Sequence, residues 1–232
     1  MLTKNDEEWL RDAHPGLVRS NSGVAGPVEF TATYNRVTNR FLILGDGVAD
    51  HVGGVSLSVA FRIRIEERTN KSISRLPAVY VDGVDAIEER HFCQADKSAC
   101  LCSPLEEDEF LRPELQFRSF LEQLVIPFLY GQAFYSAHGH WPWVEYGHGA
   151  VGLLESYSLI QNEGRAEECL RQLAQDGRTW PKIRAALEQK TIKGHTPCFC
   201  PAAAHIRRCH PRAWQGIVQL RHDIRKSAIR LP

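Results

Sequence analysis

The chain has 232 residues, enough for one large domain or one domain with a smaller addition. Its composition, 43% hydrophobic and 24% charged, is that of an ordinary soluble globular protein. No apolar run approaches the roughly 20 residues that span a bilayer, and residues 1–20 lack the basic-then-apolar layout of a signal peptide. We therefore expect a cytoplasmic protein without a membrane partner, in which cysteines bind metal or catalyse rather than form disulfides.

The net charge of +0 conceals a division along the chain. Residues 178–232 contain twelve Lys and Arg and two acidic residues, a net charge of +10, so residues 1–177 sum to −10. A basic segment on an acidic body indicates an acidic partner surface, a nucleic acid, or docking of the segment on the body. A solvated helical face explains the same charges equally well.

Apolar periodicity predicts a short helix, then strands, then a series of helices. Asn5 is predicted to cap the first helix, which ends at His14. Alternating and β-branched runs predict four strands, at residues 28–34, 40–44, 55–65 and 76–81. The later helices are predicted at residues 113–134 (kinked or split by Pro127), 149–160, 165–173, 180–190 and 214–229. Strands grouped ahead of helices are typical of an α+β fold, here a four-stranded antiparallel meander with flanking helices.

The C-terminal part contains a cysteine pattern with metal-ligand spacing. Cys198 and Cys200 are followed by Cys209 and His210, in the order C-x-C-x8-C-H. Three thiolates and one imidazole are the ligand set of a tetrahedral structural zinc site. The sequence therefore predicts a structural Zn²⁺, with an ordinary buried cysteine cluster as the alternative.

This pattern resembles the SEC-C zinc motif. Arg207 and Arg208 occupy the basic positions that precede the Cys-His pair. The chain departs from the motif at residues 201–204, where Pro-Ala-Ala-Ala replaces the glycine-rich part, so the turn need not have the geometry of the motif.

Residues 91–105, HFCQADKSACLCSPL, contain three of the seven cysteines. Cys100 is the first candidate for a thiolate nucleophile, Cys102 the second and Cys93 the third. The spacing also allows His91 to join these three cysteines in a second zinc site, and free cysteines are often simply buried. A cysteine hydrolase remains a further alternative, because water can replace an amine as the attacking group.

The arrangement from residue 5 to about residue 160 resembles the ubiquitin-conjugating enzyme fold. Residues 75–80, RLPAVY, are similar to the proline-containing start of that family's fourth strand. His91 stands where the family has its histidine, and Cys100 with Leu101 matches its active-site Cys-Leu. The chain departs from the family where Phe92-Cys93 replaces Pro-Asn, which removes the asparagine associated with oxyanion stabilisation. Gln94, a backbone N–H or the His91 imidazole could take its place.

The segment around residues 138–148 is similar to bacterial relatives encoded beside cGAS-like nucleotidyltransferases in CBASS anti-phage operons. The resemblance implies that Cys100 carries the C-terminus of such a nucleotidyltransferase as a thioester and transfers it to lysine in antiviral defence. His91 would lower the thiolate pKa or brace the loop, and acidic groups would accept the proton of the lysine amine, with three candidates: Glu106, Glu107 and Asp108.

Two regions are predicted on this basis: a ubiquitin-conjugating-like catalytic domain at residues 1–162 and a helical, zinc-binding extension at residues 163–232. The expected partners are the nucleotidyltransferase and a lysine-bearing acceptor protein, rather than a nucleic acid. The alternatives are an (iso)peptidase acting on the same linkage and an inactive scaffold that binds its partner through the basic tail. Nucleic-acid binding by that tail is the leading hypothesis for a non-enzymatic function.

Overall fold

A computed structural model describes residues 2–44, 53–68, 74–112, 114–159 and 163–232. The chain forms two compact units. The first unit comprises residues 1–102 and 107–144, and the second comprises residues 103–106 and 145–232.

The first unit begins with helix α1 (Lys4–Ala13). Its cap is Thr3 rather than Asn5, because the Thr3 side chain accepts from the Asp6 N–H while the Asp6 carboxylate accepts from the Thr3 N–H. The described residues then form five strands, namely β1 (Val18–Arg19), β2 (Gly23–Asn35), β3 (Arg40–Leu44), β4 (Val55–Glu66) and β5 (Ala78–Val81).

The described sheet is antiparallel, but its strand order differs from the predicted meander. The expected pairing of residues 40–44 with 55–65 is wrong, because β4 pairs with β2 along nearly its whole length. Thr31 in β2 faces Ser58 of β4 on one edge and Leu44 of β3 on the other. The sheet therefore follows the path β1–β2–β4–β5, with β3 beside β1 on the outer edge of β2.

Helices of the first unit pack on this sheet. They are α2 (Glu107–Leu111), α3 (Phe117–Phe120), a π-helical turn (Leu121–Val125) and α4 (Ile126–His138). Pro127 lies in the first turn of α4, where its missing N–H is tolerated. The π turn ends just before α4 begins, so the helical hydrogen-bond pattern changes near Pro127, as predicted. Pro113, the predicted start of this helix, lies outside the described residues. The buried core includes Phe117, Phe120 and Leu129.

The second unit is helical. It contains α5 (Gly149–Leu159), α6 (Ala166–Gln175), α7 (Trp180–Glu188), α8 (Ile206–Cys209) and α9 (Pro211–Lys226). Residue 160, the predicted end of α5, lies outside the described residues. A Cβ at Gly216 of α9 would lie 1.8 Å from the Leu154 carbonyl oxygen of α5, so glycine allows the two backbones to approach closely.

Mixed helix and antiparallel sheet confirm the α+β class at the coarse level. The boundary between the compact units differs from the predicted division at residue 162, because α5 packs against α9 and belongs to the second unit. Residues 103–106 also belong there, and Leu105 is fully buried in that core. Over the described parts of the chain, every helix is too short or too polar to cross a bilayer.

Candidate functional site

Residues 91–100, here called the cysteine hairpin, form a short antiparallel turn in the first unit. Phe92 and Ala99 pair as a β-bridge, and both side chains are buried. The Cys100 N–H donates to the His91 carbonyl oxygen at 2.8 Å. Because partners in an antiparallel pair face each other across the two strands, this register places Cys100 opposite His91.

Arg90, which directly precedes the hairpin, fastens it to helix α4. Arg90 Nε donates to Gln132 Oε1 at 2.9 Å, and Gln132 Nε2 donates to the Arg90 carbonyl oxygen at 2.7 Å. Arg90 Nη2 also donates to Ser136 Oγ at 2.8 Å, and the guanidinium lies 5.2 Å from the Tyr135 ring centroid. His91 follows in the left-handed region, with φ 56°, which turns the chain into the hairpin.

A second arginine holds the other end of the hairpin. Arg68 is buried and pairs with the Asp96 carboxylate. Arg68 Nη2 donates to Ser98 Oγ at 2.8 Å, and Arg68 Nε donates to the Leu76 carbonyl oxygen at 3.3 Å. The Ala99 N–H donates at 2.8 Å to the Val79 carbonyl of β5, so the hairpin is tied to the sheet as well.

Cys100 is the one exposed cysteine of the seven, all of which lie in the described ranges. Its thiol is nevertheless difficult to ionise. Desolvation is the main cause, followed by the charges of Cys93 and Asp96, and together they raise the pKa of Cys100 to about 11 although Arg68 opposes them. The resting thiol is therefore protonated near neutral pH.

The other predicted thiols are less accessible. Cys102 and Cys93 are half-buried, and Cys93 donates to the Asp96 carboxylate. Gln94 lies at the tip of the hairpin, where its side chain donates to the Phe92 carbonyl at 3.4 Å and accepts from Lys97 at 3.0 Å. The Gln94 amide is thus already engaged within the hairpin.

The carboxylates predicted to accept a proton are engaged in other contacts. Glu107 is buried and accepts from the Arg75 backbone N–H at 3.0 Å, while Asp108 pairs with Arg75 Nη2 at 2.6 Å. Glu106 belongs to the second unit, where its carboxylate accepts from the Tyr146 hydroxyl at 3.0 Å. The structure therefore gives each of the three a structural partner.

In the second unit, Cys198, Cys200, Cys209 and His210 converge. Their four candidate ligand atoms all lie within 4.8 Å of one another. Cys198 Sγ is 3.3 Å from His210 Nδ1, and Cys200 Sγ is 3.5 Å from Cys209 Sγ. Ligand atoms about 2.3 Å from a tetrahedral ion are separated by roughly 3.8 Å, so both the donor set and its spacing suit such an ion. Among the described residues, this is the one group of three or more His, Cys, Asp or Glu that converges in this way.

Burial and hydrogen bonds from the local backbone have opposite effects on the ionisation of the cluster's thiols. Burial raises the pKa of Cys198 to about 12. Burial also opposes ionisation of Cys200, but hydrogen bonds from the Cys209 and Cys198 thiols and from the N–H groups of Ala202 and Ala203 lower its pKa overall. Backbone N–H groups directed at a sulfur stabilise a thiolate, and a metal ion then supplies the positive charge that the remaining thiols need.

The residues that replace the glycine-rich part of the SEC-C motif form a compact turn. The Cys198 N–H donates to the Ala204 carbonyl at 2.6 Å, and the Ala203 N–H donates to the Cys200 carbonyl at 3.1 Å. Ala203 takes the left-handed conformation, with φ 47°. The turn is therefore built without glycine at the expense of one strained alanine.

Comparisons of the chain with protein-family models, with curated proteins and with solved structures find no match. The assignment of function rests on the residues and their geometry.

The sequence predicted that His91 and Cys100 belong to one site, but it did not indicate the side chains that fix the hairpin in place. Arg68 lies 28 residues before Asp96, and Arg90 lies 42 residues before Gln132. The local sequence carries no signal for such pairs. An indirect signal exists for Gln132, which stands in the otherwise apolar run of residues 128–134, where a polar side chain requires a partner.

Proposed function

We propose that this chain is a ubiquitin-conjugating-like cysteine transferase, in which Cys100 carries the C-terminus of a partner cGAS-like nucleotidyltransferase and passes it to a lysine. The observation that carries this proposal is that Cys100, of seven cysteines, is the exposed one, and that it stands opposite His91 on a hairpin fixed at both ends. The antiparallel sheet that follows helix α1 agrees with the fold class of that family, although β3 pairs with β2 and not with β4.

The transfer requires a donor that arrives activated, as a thioester. The Cys100 thiolate attacks the donor carbonyl, a new S–C bond forms, and the donor thiolate leaves. A neutral lysine amine then attacks the same carbonyl, an amide bond forms, and the departing Cys100 thiolate takes up the proton that the amine loses. Arg68 stabilises the thiolate electrostatically, since its charge opposes the upward shift of the Cys100 pKa.

His91 acts mainly as a brace in this proposal. Its ring lies edge-on to Trp141, with 4.7 Å between ring centroids, and its left-handed backbone shapes the start of the hairpin. Cys102, which is half-buried two residues beyond Cys100, is the reserve nucleophile.

In the second unit, Cys198, Cys200, Cys209 and His210 hold a structural Zn²⁺. The four ligands leave no coordination position for substrate, so the ion supplies fold stability instead of Lewis-acid catalysis.

One observation favours a different class of function. A thiol with a pKa of about 11 is ionised in about one molecule in ten thousand at neutral pH. A scaffold that binds its partner without chemistry needs no thiolate. The transferase proposal therefore requires that donor binding brings positive charge to Cys100 or withdraws Asp96 from it.

The deciding experiment uses a nucleotidyltransferase C-terminal peptide prepared as a thioester. The full chain is incubated with it, and intact mass is measured with and without reductant. We expect a reductant-labile adduct that maps to Cys100, that disappears in Cys100→Ala and that persists in Cys102→Ala. In Cys100→Ser, the adduct becomes an ester that resists thiol reductants.

Retention of the labile adduct in Cys100→Ala would move the nucleophile to another cysteine. If the peptide binds but no variant forms an adduct, the chain is a scaffold. Release of the free peptide acid with no lysine product would indicate the (iso)peptidase.

A further inference from the structure

The surface of the second unit around helix α9 is strongly basic. Residues 189–226 contain eight Lys and Arg and one acidic residue, Asp223. Asp223 is buried and accepts from the Tyr157 hydroxyl at 2.6 Å and from Gln219 Nε2 at 2.9 Å. The exposed surface of this segment, all of which the structure describes, therefore presents cations without anions of its own.

Two of these cations, Arg221 and Arg225, lie on one face of α9. Trp214, Val218, Arg221 and Arg225 follow the spacing i, i+4, i+7 and i+11, which places them on one helical face. Arg207 from α8 covers one end of this face, since its guanidinium carbon lies 5.0 Å from the Trp214 ring centroid. From Trp214 to Arg225 the face extends about 16 Å.

The preceding turn adds a fourth cation. Arg221 donates to the Lys190 carbonyl oxygen, and Arg225 Nη2 donates to the Gln189 carbonyl oxygen at 3.3 Å. We call Lys190, Arg207, Arg221 and Arg225 the basic stripe. The guanidiniums of Arg221 and Arg225 are thus anchored to backbone carbonyls, and their direction is fixed before any ligand arrives.

The cations of the stripe repel one another. Desolvation and the charge of Arg225 both lower the pKa of Arg221. Glu188, the acid that directly precedes this segment, accepts from Arg184 Nε at 3.1 Å. A polyanion that spans the stripe would offset the repulsion among all of its cations. A single carboxylate would offset the charge of only one of them.

The composition of the surface distinguishes between classes of polyanion. Val218, 39% exposed, is the one large exposed hydrophobic side chain in residues 189–226. Protein–protein interfaces have an apolar or aromatic centre, whereas protein–DNA interfaces are polar and positively charged. Trp214 is half-buried beneath Arg207, so it offers no open ring on which a single-stranded base could stack.

We propose that the basic stripe binds the phosphate backbone of duplex nucleic acid, a partner class that the sequence alone disfavoured. The contacts are to phosphates and therefore carry no base sequence specificity. This activity is independent of Cys100 and goes beyond the transfer reaction.

The test is fluorescence anisotropy of the full, metal-loaded chain with a labelled 20-base-pair duplex, as DNA and as RNA, over a salt series. Four phosphate contacts predict about 100-fold weaker binding on going from about 50 mM to about 200 mM salt. Lys190→Gln and Arg225→Gln should each reduce the magnitude of the log–log salt slope by about one. Arg171→Gln is the matched control, because Arg171 lies in the same unit and pairs with Glu168 at 2.5 Å.

Unequal affinity for the two duplexes would identify the preferred backbone and still support the stripe. Three results would overturn the proposal: no binding at the lowest salt, an equal loss in Arg171→Gln, or displacement of the duplex by an acidic polypeptide of the same charge at equal concentration. The last result would assign the stripe to an acidic protein partner.

Discussion

Arg90 and Gln132 each donate a hydrogen bond to the other, although 42 residues separate them. The Gln132 side chain is fully buried, and its amide satisfies both the Arg90 side chain and the Arg90 carbonyl. Because His91 follows directly, this pair fixes the position of the start of the cysteine hairpin against helix α4.

Replacing Gln132 tests the pair. Gln132→Leu preserves volume but leaves Arg90 Nε and the Arg90 carbonyl without these partners, so the free energy of unfolding should fall by about 1–3 kcal/mol. Hydrogen exchange at the Cys100 amide, which donates to His91, should accelerate. Ser136→Ala removes a single contact of the same arginine and should change stability by no more than about 1 kcal/mol. Equal losses in the two variants would contradict a specific role for Gln132.

The reactivity of Cys100 should depend steeply on pH. Its pKa is raised from 9.0 to about 11, so alkylation by iodoacetamide, which requires the thiolate, should increase about tenfold per pH unit and level off near pH 11. Peptide mass mapping separates Cys100 from the other cysteines. A midpoint at or below pH 9 in the unaltered chain would contradict the local electrostatics.

Removing one negative charge beside Cys100 should move this profile. Asp96→Asn eliminates a carboxylate that raises the Cys100 pKa and leaves the Arg68 charge unopposed, so the midpoint should shift to lower pH. Asp12→Asn, an exposed acid on helix α1, should leave the profile unchanged. An identical midpoint in both variants would exclude Asp96 as a determinant of the thiol pKa.

The four-ligand cluster should contain one zinc ion per chain, measurable by elemental analysis of the purified protein. Cys209→Ser should lose the ion and part of the helical circular-dichroism signal. Cys169→Ala, a buried cysteine on α6 in the same unit, should retain it. The ion should be released as the pH falls, because protons compete for the thiolates and the imidazole. Full metal retention in Cys209→Ser would remove that residue from the ligand set.

The strained turn of the cluster offers a stabilising substitution. Ala203 has φ 47°, so Ala203→Gly should raise the free energy of unfolding by about 0.5–1 kcal/mol in the metal-loaded chain. Ala202 is not among the residues with positive φ, so Ala202→Gly should lower that free energy by about 0.5–1 kcal/mol through added chain entropy. Urea unfolding at fixed zinc concentration measures both, and a gain from Ala202→Gly would contradict the argument.

Much of the secondary structure was predictable because its signals are local. Strand β3 has the predicted bounds, β4 extends one residue beyond its predicted end, and α5 begins where predicted. Strand β1 was missed because two residues cannot display an alternating pattern. The pairing of β4 with β2 was missed because strand order depends on contacts distant in sequence.

The two sites were predictable to different extents for the same reason. The metal cluster lies within residues 198–210, and its spacing alone indicates its ligands. The cysteine hairpin depends on Arg68, Asp96, Arg90 and Gln132, whose pairing emerges only after the sheet and α4 have assembled. Burial of Glu107 against Arg75 likewise removed a candidate base that sequence proximity had favoured.

The placement of residues 103–106 in the second unit has a consequence for synthesis on the ribosome. The first unit has its whole sequence once residue 144 has emerged, but Leu105 belongs to a core built from residues 145–232. During translation this leucine must remain without its core until the C-terminal helices appear. A chain stopped at residue 162 would keep Leu105 and the apolar face of α5 permanently uncovered, so it should be captured by chaperones or aggregate instead of serving as an isolated catalytic fragment.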